Sequence, residues 1–380
     1  MCECYLDYAA TTPVDPHIAE LYHRALLEQW HNPSAAYAHQ LAASIHQVKH
    51  DILQTLGLGP DYDLIVTSGA TESINTILKG ITDYRIPAGT LLSTSIEHSA
   101  VTETLEFIRH RLRGTIVVIS PDRNGLIDPE QLKSKLTPDL KLCSFIVVQN
   151  EIGTIQPIRE LYRIVKTYNP SIPVHLDAAQ AFGKLPLAEF IPYADFISFS
   201  GHKFFVPKGI GGLIHRKNNP PPPLIHGGGQ QNNLRGGTLN FPLILALYHG
   251  IKAMVEHQTQ RLDQCRQISR YLEDQITRHL PQARINIPSG IRVPHIWNIS
   301  IPGIKGETIR NTLASHQIWV STGSACSTHR KKKNILAKLN RNQEVSESSI
   351  RISLSHLTQP EQIDRLIRYL LGMVQERIVV

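Results

Sequence analysis

The 380-residue chain predicts an α/β protein, with one large, mostly parallel sheet domain and a smaller α+β domain packed on it. Three observations carry that expectation. From about residue 60 to 215, short apolar runs are each followed by a polar or glycine cluster and then by a helical pattern. The runs are continuously apolar, as strands covered on both faces are. Beyond about residue 250 the pattern changes to a long helix, three short strand-like pieces and a closing helix.

The first run, Asp63-Leu64-Ile65-Val66-Thr67, leads through Ser68-Gly69-Ala70-Thr71 into a helical stripe of Ile74, Ile77, Leu78 and Ile81. A helix start offers unpaired N–H groups, and a glycine there lets an anion come close, so this cluster is a candidate phosphate cradle as well as an ordinary cap. Leu91-Leu92-Ser93-Thr94 is followed by Glu97-His98, and Ser144-Phe145-Ile146-Val147-Val148 by Gln149-Asn150-Glu151. Val174-His175-Leu176 precedes Asp177-Ala178-Ala179-Gln180, and Phe196-Ile197-Ser198-Phe199 precedes Ser200-Gly201-His202-Lys203. Ligands of open α/β sheets sit beyond the carboxyl ends of the strands, where these clusters fall.

The stretch Pro220 to Gly237 reads as loops with a flexible surface tip at Pro220–Pro223. After it come a helix with Leu262, Cys265, Ile268, Leu272, Ile276 and Leu280 on one stripe, and strand-like pieces near 296–301, 318–320 and 350–354. A last helix carries Ile363, Leu366, Ile367 and Leu370 on one face. The domains are expected at 14–250 for the larger, and at 1–13 with 251–380 for the smaller.

Composition narrows the class. With 41% hydrophobic residues the chain can bury a large core, and no stretch approaches the ~18 apolar residues of a membrane helix. The beginning has no basic leader before an apolar run, so a cytoplasmic protein is expected. Five cysteines, at 2, 4, 143, 265 and 326, argue against a disulfide framework and allow one working thiol. The net charge of +7 draws four charges from Arg330-Lys331-Lys332-Lys333, a local feature with no nucleic-acid-binding motif around it.

The chemistry of the strand-end clusters suggests a phosphate-bearing aldehyde cofactor. Asp177 could merely cap a helix, yet an acid there could also keep a pyridine nitrogen protonated. Lys203, behind a buried strand, suits a Schiff-base lysine, because desolvation lowers its pKa. His98 could be a core histidine or a ring stacked on a flat cofactor. Gln180 and His202 offer hydrogen bonds to a ring oxygen and a phosphate. Cys326, flanked by Ser321-Thr322-Gly323-Ser324-Ala325 and Ser327, suits an exposed mobile loop, whereas Cys143 and Cys265 fit the core. Cys2 and Cys4 make a weak metal site, and no metal is expected.

Tyr5-Leu6-Asp7-Tyr8-Ala9-Ala10-Thr11-Thr12-Pro13, Thr67-Ser68-Gly69-Ala70-Thr71-Glu72-Ser73, Asn150-Glu151-Ile152-Gly153, Ser198-Phe199-Ser200-Gly201-His202-Lys203 and Gly323-Ser324-Ala325-Cys326 together resemble cysteine desulfurases. The resemblance runs from residue 5 to about 370. It implies the aspartate-aminotransferase-like fold, with a seven-stranded large domain and the N-terminal segment joined to the small one. It also implies pyridoxal 5'-phosphate and sulfur removal from L-cysteine, giving L-alanine and a Cys326 persulfide for an acceptor. Iron–sulfur cluster assembly, tRNA thiolation and DNA phosphorothioation all start from that chemistry. By the same resemblance Lys203 holds the cofactor, Asp177 partners its ring nitrogen, His98 stacks and relays protons, and Gln180 bonds the phenolic oxygen. Ala70, Thr71, Ser200 and His202 belong to the phosphate site, completed in a homodimer by Thr238 of the neighbouring subunit. Asn150 and Arg351 resemble the pair that holds the substrate carboxylate.

There are departures. Trp30-His31-Asn32-Pro33 stands where the family commonly has Phe-Gly-Asn-Pro, Gln149-Asn150 where it has two asparagines, and the segment after Cys326 is unusually basic. Arg330–Lys333 are therefore a candidate docking tract for the sulfur acceptor. The rival readings are an aminotransferase of the same fold, and a non-catalytic homologue that binds nucleic acid or a scaffold.

Overall fold

The computed structural model describes residues 3–81, 89–323 and 335–378. Its strands are β1 (Cys4–Tyr5), β2 (Tyr62–Thr67), β3 (Thr90–Thr94), β4 (Thr115–Ile119), β5 (Leu140–Ile146) and β6 (Val174–Asp177), then β7 (Phe196–Ser200), β8 (Gly211–Arg216), β9 (Arg284–Ile285), β10 (Ile296–Ser300), β11 (Ile318–Trp319) and β12 (Ser349–Ser353). The helices are α1 (Pro16–Glu28), α2 (His39–Thr55), α3 (Ala70–Ile81), α4 (Ser99–Arg111), α5 (Pro129–Lys135) and α6 (Ile158–Tyr168), then α7 (Phe241–Glu256), α8 (Gln258–His279), α9 (Gly306–Ser315), α10 (Ile335–Lys338), α11 (Gln343–Glu347) and α12 (Pro360–Ile378).

Seven strands form one sheet in the order β2-β8-β7-β6-β5-β3-β4, with β8 alone running against the rest. Side chains alternate across the sheet. Leu64, Leu92, Cys143, Ile197 and Ile214 enter a core shared with α1, α2, α6 and α7. Their neighbours Ile65, Leu91, Leu142, Phe196 and Leu213 enter another, under α3 and α4. Burial on both faces explains why these strands read as unbroken apolar runs.

A second group of elements carries its own core. β12-β10-β9 make an antiparallel sheet and β1-β11 a parallel pair. Cys4 and Leu6 pack there with residues of α8, α9 and α12. The N-terminal segment stays tied to β12, where Ala9 N–H gives to Ser353 Oγ at 2.9 Å, and then reaches the end of β7, where Thr12 N–H gives to the His202 carbonyl at 3.0 Å.

Three expectations need correction. β4 and β8 were not foreseen as strands. β4 is an edge strand with Val118 43% exposed, and β8 opens on Gly211-Gly212, which imitates a loop. The Pro220–Pro223 segment is not simply a surface tip: Pro221 is buried, and Pro222 packs so closely on Gly80 that a Cβ there would stand 3.0 Å from its Cδ.

Candidate active site

The site forms where β6 and β7, adjacent and parallel, both end. β7 stops at Ser200 and a single 3-10 turn, Gly201–Lys203, follows. That turn brings the Lys203 amine under the N-terminal segment, where Nζ donates to the Ala9 carbonyl at 2.8 Å and the Ala10 carbonyl at 2.7 Å.

Asp177, the last residue of β6, is 3% exposed and accepts the Ala179 N–H on Oδ1 at 3.1 Å. Burial raises its pKa, while the nearby His98 and Lys203 hold it down. His98 caps α4 by accepting the Ala100 N–H on Nδ1 at 3.1 Å, so a neutral ring carries its proton on Nε2. Gln180 is buried; its Nε2 donates to Ala9 at 2.8 Å, and its Oε1 accepts from Lys184 Nζ at 2.5 Å.

The first turn of α3 faces Ser200, whose Oγ accepts the Ala70 N–H at 2.7 Å. Gly69 adopts φ +152°, and a Cβ there would stand 3.0 Å from that Oγ. Glycine therefore keeps the turn open. Thr71 is exposed on the same turn and lines an open cleft with His98, Asn75, Lys79 and Glu103. His202 Nδ1 lies 3.1 Å from Thr11 Oγ1, and burial, with Lys203 beside it, lowers its pKa to about 4. At neutral pH this imidazole is uncharged.

Arg351, 8% exposed on β12, is held from two sides: one amine gives to Asp7 Oδ1 at 2.7 Å, the other to the Asn150 carbonyl at 2.9 Å. Its Nε is buried without a partner among the described residues. Asn150 is half-buried beside it. Thr238 is exposed on the loop that Arg235 ties to Glu72 at the start of α3, at 2.9 and 3.3 Å.

Several neighbours escaped the sequence reading as site residues. Asp7 lies 344 residues from the arginine it pairs with, and only the assembled fold shows the contact. Lys184 follows a turn and looks like a surface lysine. Glu97 stands at a strand end with nothing in the sequence to mark its burial, which pushes its pKa up to about 8. Glu151 is likewise pushed up to about 7 by burial.

Burial raises the thiol pKa of Cys4 to about 11, and of Cys143 and Cys265 to about 12, which leaves them unreactive. Cys326 and the Arg330–Lys333 tract lie outside the described residues. Among the described residues no cluster of His, Cys, Asp or Glu could hold a metal ion, and no helix is long and apolar enough to cross a membrane.

Comparison with known proteins agrees with this geometry. Residues 4–366 match the Aminotransferase class-V family. A cysteine desulfurase IscS of Dictyoglomus turgidum is 34% identical over 378 residues, covering 98% of this chain and 95% of that protein. A solved NifS-like protein superposes with TM-score 0.89 at 31% identity, covering 98% of this chain and all of that one. SspA, solved in complex with cysteine, gives 0.78 at 32% identity over 93% of this chain and 99% of its own. The chain belongs to the class-V aminotransferases, enzymes that use pyridoxal phosphate, and within them to the cysteine desulfurases.

The residues present fit that cofactor. The Gly69 turn offers a cradle that a Cβ would crowd, Asp177 is a buried acid, and the Lys203 amine lies in the same strand-end crevice.

Proposed function

We propose that this cysteine desulfurase acts through Lys203 and Cys326, taking sulfur from L-cysteine, releasing L-alanine, and passing a Cys326 persulfide to an acceptor. The observation that carries the reading is the convergence of Asp177 and Lys203 at the ends of two adjacent parallel strands, with the first turn of α3 meeting Ser200 there. Pyridoxal phosphate supplies, when bound, the electron sink that lets the substrate α-proton leave.

Each residue then has a task. Lys203 binds the cofactor and, once free, takes the α-proton on Nζ. Asp177 holds a proton at the ring nitrogen. His98, whose Nδ1 accepts the Ala100 N–H, would cover the ring and present its Nε2–H. Gln180 donates to the phenolic oxygen. Ala70 and Thr71 on the helix start, Ser200 and His202 hold the phosphate, and Thr238 does so from a second subunit. Ser200 already accepts the Ala70 N–H, which leaves its hydroxyl proton for a phosphate oxygen.

Asn150 and Arg351 receive the substrate carboxylate. Asp7 and the Asn150 carbonyl fix the guanidinium in place, and its buried Nε, without a partner among the described residues, supports the assignment. The Cys326 thiolate attacks the substrate sulfur: an S–S bond forms, the C–S bond breaks, and protonation of the remaining fragment gives alanine. The high thiol pKa values of Cys4, Cys143 and Cys265 support Cys326 as the carrier.

The reading includes a cytoplasmic homodimer and an acceptor docking at Arg330–Lys333, for iron–sulfur assembly, tRNA thiolation or DNA phosphorothioation. The free thiols of Cys4, Cys143 and Cys265 suit a reducing compartment. It also includes a large domain over 14–250 and a small one formed by 1–13 and 251–380. The separate core that unites Cys4 and Leu6 with α8 and α12 supports that division, although a boundary at 250 cuts into α7, which ends at Glu256.

Borohydride reduction and peptide mapping test the cofactor assignment. The reduced cofactor is expected on the peptide carrying Lys203; finding it on Lys208 would reject the reading.

A further inference from the structure

Gln180 is held at both ends of its amide. Lys184 Nζ gives to its Oε1 at 2.5 Å, and its own Nε2 gives to the Ala9 carbonyl at 2.8 Å. The Ala9 carbonyl is also the acceptor for Lys203 Nζ at 2.8 Å. A line of contacts thus runs from Lys184 through Gln180 and Ala9 to Lys203. Lys184 lies partly buried after the β6 end and faces a cavity of about 50 Å3, lined also by Lys203, Cys265, His295 and Arg261.

A glutamine amide has a donor end and an acceptor end of nearly the same shape, so packing alone does not choose between them. A donating lysine does: Nζ gives a hydrogen to the amide oxygen at 2.5 Å, so the NH2 end is turned to the opposite side. The NH2 end carries two hydrogens, one of which goes to Ala9. The other remains for an oxygen of the cofactor.

We propose that Lys184 is a positioning residue of the cofactor site: it sets the amide of Gln180 so that the NH2 end, not the carbonyl, faces the cofactor's phenolic oxygen. The inference rests on the reading of Lys203 and Gln180 as cofactor residues. An amide turned the other way would place oxygen against an anionic oxygen, opposing the charge that the native orientation favours. The charged or titratable groups around Lys184 are Lys203, Arg351, Cys265, His202 and His295, and burial together with Lys203 and Arg351 lowers its own pKa.

The test reads the pH midpoint at which the visible absorbance of the Lys203-bound cofactor changes, without substrate. Native chain, Lys184→Met, Gln180→Ala and the Lys184→Met/Gln180→Ala pair are titrated after circular dichroism has checked folding. Freeing the amide removes a donor that favours the deprotonated form, so Lys184→Met is expected to raise the midpoint by about one pH unit. In the Gln180→Ala background Lys184→Met is expected to add nothing, because its effect passes through that amide.

An unchanged midpoint in Lys184→Met, or an undiminished shift in the Gln180→Ala background, would each overturn the inference; the second would show Lys184 acting by charge alone. If Lys184→Met does not fold, Gln180→Ala decides: it must raise the midpoint, and an unchanged value overturns the proposal. A native chain with no visible cofactor band, or a band that persists in Lys203→Ala, would instead refute the cofactor reading itself.

Discussion

Glu97 sits between β3 and β5 with its carboxyl accepting the Thr94 hydroxyl at 2.7 Å and the Ile146 N–H at 3.0 Å, while Oε2 is buried with no partner among the described residues. Two acceptor contacts do not offset its desolvation, so its pKa is raised to about 8 and the group is neutral at pH 7. The sign of the pH effect follows. The unfolded chain gives up this proton near 4.5 and the folded one near 8, so Glu97 costs stability progressively as pH rises through that interval. Glu97→Gln mimics the neutral form. Its melting temperature should match the native chain near pH 5, and the variant should gain several degrees over it by about pH 8.5 in calorimetric scans. A constant difference across that range would show that Glu97 does not titrate as its burial requires. The same burial explains what was unreadable at this scale. Asp177, Lys203 and Gln180 were legible because each follows an apolar run at a strand end; Asp7 and Lys184 act through partners that no spacing rule brings together.

At the scale of elements, β8 shows how a site can hide a strand. Gly211 of β8 passes so close to the α3 entrance that a Cβ would lie 2.3 Å from the Phe199 carbonyl oxygen and 2.7 Å from Gly69 Cα. Glycine is required by backbone packing, and the resulting Gly-Gly pair made the strand resemble a loop. Gly211→Ala should separate β7 from the first turn of α3. A loss of roughly 1–3 kcal/mol in denaturant unfolding is expected, with weakened retention of the cofactor on dialysis. Unchanged stability and retention would mean that the close approach is not needed. The doubly covered strands, by contrast, were readable from their continuous apolar character. The edge strand β4 was not, because a half-exposed strand lacks that signature.

At the scale of the molecule, the N-terminal segment joins the two cores. Leu6 is buried with α12, while Ala9 and Ala10 receive Lys203 and Asp7 holds Arg351, so the arginine proposed for the substrate and the lysine proposed for the cofactor meet on one stretch of chain. The proposed homodimer adds Thr238, exposed on a loop tied to α3 through Arg235 and Glu72. Hybrids of a Lys203→Ala chain with a Thr238→Ala chain are expected to recover activity, since one of their two sites is free of both changes. A fully active monomer in sedimentation would end the dimer reading. Sequence motifs made the family and its cofactor legible at this scale; the register of the N-terminal segment across the site was not.

The central claim is that sulfur leaves cysteine and lands on Cys326. Mass spectrometry of the protein after incubation with L-cysteine, alongside Cys326→Ser, measures it most directly. The native chain should gain one sulfur on the Cys326 peptide and release alanine over many turnovers. Cys326→Ser should still change the cofactor spectrum on adding cysteine, because binding and proton removal at Lys203 do not need the thiol, but should form neither persulfide nor catalytic alanine. Normal turnover in Cys326→Ser, or the added sulfur appearing on Cys2, Cys4, Cys143 or Cys265 instead, would contradict the account.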